Sequence, residues 1–215
     1  PRVRRALAMS LDRNVLITAV LQDNMPALKG FIPHGFPDLL DDTKSWRDTH
    51  EDVITEDVAA AQALMAEAGY EDGFPVDIWV DNTTIEMQGA EFFKQQMAQI
   101  NIDVNVVPME STTIADMTSL PEEENEVQIW YVNWSSGSYE ADGSMRNILH
   151  GEKFPPSGYN TAFWNNAEFN KLLDDALLSA DTEEIADLYA QAQAIAWDDR
   201  YGHVLGFETA YGAGK

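Results

Sequence analysis

The chain has 215 residues, 45% of them hydrophobic and 23% charged, with six Trp, seven Tyr and nine Phe; this is core material, not the composition of a disordered chain. Thirteen Lys and Arg against 37 Asp and Glu leave a formal net charge of −24, which argues against nucleic acid and anionic lipid as partners. The absence of Cys removes disulfides, thiolate zinc sites and cysteine nucleophiles, and no apolar run approaches the roughly 18 residues of a membrane span.

In chain order, residues 3–21 carry apolar positions at Val3, Leu7, Leu11, Val15, Leu16, Ala19 and Val20, which suits two helical pieces with Asp12 as the N-cap between them. The chain starts at Pro1 already in helical pattern, without a start Met or signal peptide, so a longer parent is expected. Residues 24–52 read as a long Gly-, Pro- and Asp-containing loop of the kind that is functional or wraps a neighbouring domain. A helix follows, with Glu56 and Asp57 at its positive end, a face of Val58, Ala61, Leu64, Met65 and Ala68, and Gly69 as its left-handed stop.

After a turn at Asp72-Gly73, residues 76–80 alternate as a strand. Thr83 and Glu86 form a capping box that opens a helix carrying Phe92, Phe93, Met97 and Ile100. Ile102, Val104 and Val106 give a second strand. Residues 127–134 read as a third, apolar on both faces and so central, followed by a polar loop over 135–144. Two helices come late, one with Phe169, Leu172, Leu173 and Ala176, the other opened by Asp181 and Glu184. A last strand is expected over 204–207. This order predicts a single α/β unit over 1–215, a mixed sheet flanked by helices.

No enzyme constellation emerges. The four histidines (His34, His50, His150, His203) are scattered without metal-ligand spacing, and Ser135-Ser136-Gly137-Ser138 lacks the frame of a hydrolase elbow. Gly212-Ala213-Gly214-Lys215 lacks the leading Gly and following Ser or Thr of a phosphate loop, and the acidic clusters lack calcium-loop spacing. A peptidase or amidohydrolase would need a nucleophile–base pair or metal that the chain does not display. Neither metal nor cofactor is expected.

The region that stands out follows the third strand. Trp130, Tyr131 and Trp134 precede a loop with Ser135, Ser136, Tyr139, Glu140 and Asp142. Loops beyond the carboxyl ends of strands are where open α/β sheets bind ligands, and aromatic surface with a few oriented polar groups is the usual lining. A second aromatic–polar group, from Phe154 through Tyr159, Asn160 and Thr161 to Trp164, is placed to face it. By pattern alone, either group is equally core plus turn.

Several segments, taken in order, resemble family 5 of the ABC-importer solute-binding proteins, which bind dipeptides, oligopeptides, nickel and glutathione. Val3-Arg4-Arg5-Ala6-Leu7 with Asp12-Arg13 is similar to that family's opening helix, and Gly30-Phe31-Ile32-Pro33 to the loop after it. Residues 61–74, with Ala68-Gly69-Tyr70 and Gly73-Phe74, and residues 92–106, with Asn101 in place of the usual Gly, resemble later segments. Tyr159-Asn160 and Leu172-Leu173…Leu188-Tyr189 resemble its closing pattern. The glutathione-binding members are most similar, through Trp134-Ser135…Glu140-Ala141-Asp142 and Pro155-Pro156…Asn160-Thr161-Ala162-Phe163.

The resemblance implies one lobe of a two-lobed periplasmic-binding-protein (type II) fold, the carboxy-terminal one. A missing N-terminal lobe, a glutathione-like small peptide ligand and an ABC permease would be its partners. The setting would be periplasmic or extracellular, membrane-associated through the transporter. The site residues it implies are Trp134, Ser135, Ser136, Tyr139, Glu140, Asp142, Tyr159, Asn160 and Thr161. Gly137 stands where dipeptide and oligopeptide binders carry an amine-pairing Asp. Glu140 or Asp142 would then serve a γ-glutamyl amine, or fix the loop instead. The same fold with an oligopeptide, nickel chelate or sugar as ligand is the alternative.

Overall fold

Helix α1 (Arg2–Met9) opens the computed structural model, which describes residues 2–22, 31–32, 56–131 and 140–199. Expectations for 23–30, 33–55, 132–139 and 200–215, including the strand over 204–207, lie outside the described residues. Asp12 caps the short α2 (Arg13–Val15) by accepting from Val15 N at 3.0 Å, and the chain widens into a π-turn over Leu16–Val20. Asp57 caps α3 (Val58–Glu67) in the same way, accepting from Ala60 N at 2.9 Å.

The sheet consists of β1 (Pro75–Asp81), β2 (Asp103–Met109) and β3 (Ile129–Trp130), in the order β2-β1-β3 and parallel throughout. Pro75 pairs with Asp103, Asp81 with Met109, and Trp79 with Trp130. Helix α4 (Thr84–Met97), capped by Thr83, crosses from β1 to β2. Alternate residues of β1, Val76, Ile78 and Val80, are buried with Ile102 and Val104 beneath Ala6, Ala61, Met65, Ala90 and Met97. A side cluster of Leu11, Leu16, Ile17 and Leu21 packs on Phe92 and Phe93 of α4.

The connection from α3 into β1 and from α4 into β2 is a single interlocked turn. Gly73 has φ +71°, and a Cβ there would fall 1.7 Å from the Asn101 carbonyl oxygen, so only glycine fits. Asn101 itself sits at φ +63° and donates from Nδ2 to Glu71 O at 2.9 Å. The left-handed backbone costs an alanine roughly 1–2 kcal/mol, and the lost side-chain bond about 1 more. Asn101→Ala is therefore expected to lower unfolding free energy by about 2 kcal/mol in urea titrations, with Asn101→Gly retaining most of the stability.

Helix α5 (Ser111–Thr118) packs against β1, and a second layer holds α6 (Ala141–Leu149), α7 (Ala167–Leu178) and α8 (Thr182–Asp198). The last three enclose a core of Met145, Leu149, Trp164, Phe169, Leu173, Tyr189, Ala192 and Trp197. Phe31 and Ile32 join this core: Ile32 is fully buried and donates to Gln193 Oε1 at 3.3 Å, and Phe31 meets Trp197 edge-on at 6.1 Å.

Among the described residues β1 lies between β2 and β3, and β3 covers Ile129–Trp130 of the strand expected over 127–134. Ile129 and Tyr131, two residues apart and so on one face, pack half-buried against the sheet core. The polar loop expected over 135–144 gives way at Ala141 to α6. Gly143 and Ser144 mask the helical spacing of Ala141, Met145, Ile148 and Leu149.

Candidate functional site

Because the strands are parallel and in register, their carboxyl ends share one edge. There β1 delivers Asn82 and the N-cap Thr83 of α4, β2 delivers Glu110 at the N-cap of α5, and β3 continues into Tyr131, whose N–H donates to Trp79 O at 2.9 Å. Asn82 Nδ2 donates to Glu110 Oε1 at 2.8 Å and ties the ends of β1 and β2 together. Beside this edge, an open cleft of about 710 Å³ runs between the Leu16–Val20 turn and α4. Its walls include Val20, Met87 and Phe92, and its polar groups are Gln22, Asn82, Thr84, Gln88, Glu91 and Gln95. Sequence reading misses these residues. The signal for Asn82 and Glu110 is their position directly after strands, where ligand-binding groups gather.

Of the residues singled out in the sequence, Trp134, Ser135, Ser136 and Tyr139 lie outside the described residues. Glu140 is exposed at the N-cap of α6, and its carboxylate makes no capping bond. Asp142, one turn in, is occupied. Both of its oxygens accept from Arg146 Nε at 2.9 Å, and Tyr189 OH donates to Oδ1 at 3.4 Å. Arg146 reaches on to Asp174 at 2.8 Å, and His150 Nε2 stands 3.4 Å from the same carboxylate. The knot thus joins α6, α7 and α8.

The electrostatics follow from this crowding. Burial alone would lower the Arg146 pKa, but the hydrogen bonds and charges of Asp174 and Asp142 reverse that and hold it above its ordinary value. Burial, then the negative charge of Asp142, pushes the Tyr189 phenol well above the ordinary tyrosine value, with Arg146 pulling the other way. A phenol that ionises less readily when folded contributes stability fully present below about pH 10 and lost as pH rises further. Urea unfolding at roughly pH 9 and 11 should show a loss that is smaller in Tyr189→Phe than in the parent chain; equal losses would contradict this.

The second predicted group lies on the far end of α6. Tyr159 is 59% exposed and its N–H donates to Asn147 O at 3.0 Å. Asn160 is fully buried, its amide bonded to Leu149 O, His150 O, Trp164 O and Trp164 N, so its side chain holds the loop together. Thr161 is half-buried. Phe154 and Phe163 meet edge-on at 5.4 Å. Helix α6, nine residues and so about 14 Å long at 1.5 Å per residue, separates Glu140 at its start from the Asn160 bonds to Leu149 O and His150 O at its end. Among the described residues no group of three or more acidic or histidine side chains is placed to hold a metal, and no helix is long and apolar enough to cross a membrane.

Comparison with known proteins matches residues 1–155 to the family described as bacterial extracellular solute-binding proteins, family 5 Middle. The chain is similar to the glutathione-binding protein GsiB of Salmonella choleraesuis, 29% identical over 93% of this chain and 38% of that protein. It is 28% identical to GsiB of Escherichia coli K12 over the same shares. The chain thus spans little more than a third of these relatives. Among solved structures, the periplasmic binding protein DppA of Helicobacter pylori in complex with the peptide STSA shares the fold at a TM-score of 0.80 and 22% identity, over 94% of this chain and 37% of that one. The dipeptide binding protein of Pseudoalteromonas sp. SM9913 in complex with Met-Leu matches with a TM-score of 0.75 and 25% identity, over 92% of this chain and 37% of that one.

Proposed function

Given that this chain belongs to the bacterial extracellular solute-binding proteins of family 5, we propose that residues 1–215 form the carboxy-terminal ligand-binding lobe of a two-lobed protein that captures glutathione or a related small peptide for an ABC permease. The observation that carries the reading is the edge where parallel strand ends, two helix starts and an open, amide-rimmed cleft converge. Such an edge binds solutes without needing a nucleophile or metal. The narrower ligand assignment draws on the relatives named for glutathione and on the sequence pattern around Trp134, Glu140 and Tyr159. The working location is extracytoplasmic, at the membrane through the transporter, and a second lobe supplies the other wall of the site.

Within this reading, Glu140, Thr161 and Tyr159 contact ligand together with Trp134, Ser135, Ser136 and Tyr139. Asp142 and Asn160 act from behind, by holding α6 and its following loop in place. A whole two-lobed binder of about micromolar affinity holds its ligand by roughly 8 kcal/mol, so one lobe retaining half of that binds at about millimolar concentration. Titrating glutathione into isotope-labelled protein should shift backbone amides near residues 81–84, 110, 140–142 and 159–163, with alanylalanine giving smaller changes. An equal response to both ligands removes the glutathione assignment, and silence to both at several millimolar, an order-of-magnitude ceiling, removes the binding function.

A further inference from the structure

The cleft beside the strand ends has a one-sided chemistry. Of the residues that border it, none is Lys, Arg or His, and the one charged group is Glu91. Glu91 stands on α4 with Gln88 and Gln95 on the same face, and its carboxylate has no hydrogen bond or ion pair among the described residues. Lys94, the cation on this helix, is not among the bordering residues. One N–H of the Asn82 amide donates to Glu110, which adds a second carboxylate at the margin. Val20, Met87 and Phe92 give part of the wall an apolar surface.

A ligand carboxylate entering this cleft would meet Glu91 and Glu110, with side-chain amides and the Thr84 hydroxyl as donors and no cationic side chain. An ammonium group would meet a free carboxylate and several amide oxygens. The formal charge of −24 steers in the same direction at long range. Building on the peptide-capture reading, we infer that this cleft receives the ammonium-bearing part of the ligand, with Glu91 as the residue that sets that preference. The ammonium can come from a peptide amino terminus or from a basic side chain, since the chemistry of recognition is shared.

The test is calorimetric titration of the protein at low salt with three probes: tetraalanine amide, N-acetyl-trialanyl-lysine amide and N-acetyl-tetraalanine free acid. At least one ammonium probe should bind about tenfold more tightly than the acid, which corresponds to about 1.4 kcal/mol, and the gap should shrink as salt is added. A gap from the first probe alone assigns the amino terminus, and from the second alone the side chain. Glu91→Gln, an exposed substitution, should bring the ratio close to one while leaving the urea midpoint unchanged. If the acid binds as tightly as both ammonium probes, or if Glu91→Gln leaves the ratio intact, the inference fails while peptide capture stands. If no probe binds and glutathione does not either, the peptide-capture reading fails, and this inference with it.

Discussion

Asn160→Ala should cost about 4 kcal/mol of folding stability, a loss out of proportion to one polar loop residue. The side chain is fully buried. Nδ2 lies 3.1 Å from Leu149 O, 3.1 Å from His150 O and 2.7 Å from Trp164 O, while Oδ1 accepts from Trp164 N at 3.3 Å. Each made bond contributes only about 1 kcal/mol net, but each buried group left without a partner costs roughly 1–3 kcal/mol. Alanine orphans several at once, at the point where α6 ends and the chain turns back towards α7. For a domain of this size the loss translates into a melting temperature lower by about 10 °C. Asn160→Asp is nearly isosteric yet replaces a donor with an acceptor opposite three carbonyls, so it should be at least as damaging. A loss under about 1 kcal/mol for the alanine variant would mean that water takes over these bonds and that the loop is not fixed by this amide.

What the sequence discloses depends on how local the cause is. Asp57, Thr83 and Asp181 act on amides two or three residues away, so their caps are readable from spacing alone. Gly69 and Asn101 stop helices in the left-handed region for equally local reasons, and both take positive φ in the fold. Sheet order is different. Strand pairing is a long-range choice, and nothing local to Ile129 and Trp130 says that their partners are Ile78 and Trp79.

The site divides along the same line. Asn160 is conspicuous in the sequence as a polar residue among aromatics, yet nothing local says that its partners are three carbonyls inside the fold. Glu91, Gln88 and Gln95 look like an ordinary solvated helix face until the Leu16–Val20 turn, about 70 residues earlier, is seen to form the opposite wall. Helix α5 hides for a third reason: its STTIADMT sequence has just Ile114 and Thr118 buried, too few apolar positions for periodicity to register.

Arg146→Met carries the second large effect, an expected loss of about 3 kcal/mol. Removing one partner of a buried ion pair typically costs 3–5 kcal/mol, because the other charge stays behind without compensation. Here Asp142 is the charge left behind, its side chain 20% exposed, and its remaining contact is the Tyr189 hydroxyl at 3.4 Å. Asp174 moderates the loss, since at 54% exposed it can rely on water once Arg146 is gone. The charge argument and a packing argument diverge in the double variant. If the stranded Asp142 carboxylate dominates, Arg146→Met with Asp142→Asn should be more stable than Arg146→Met alone, recovering about half the loss. If lost packing of the arginine stem dominates, the second substitution should give no recovery. Urea unfolding of the parent, both single variants and the double variant separates the two. Recovery would also identify the knot as an electrostatic tie between α6 and its neighbours α7 and α8, which fixes the direction in which Glu140 is presented at the start of α6.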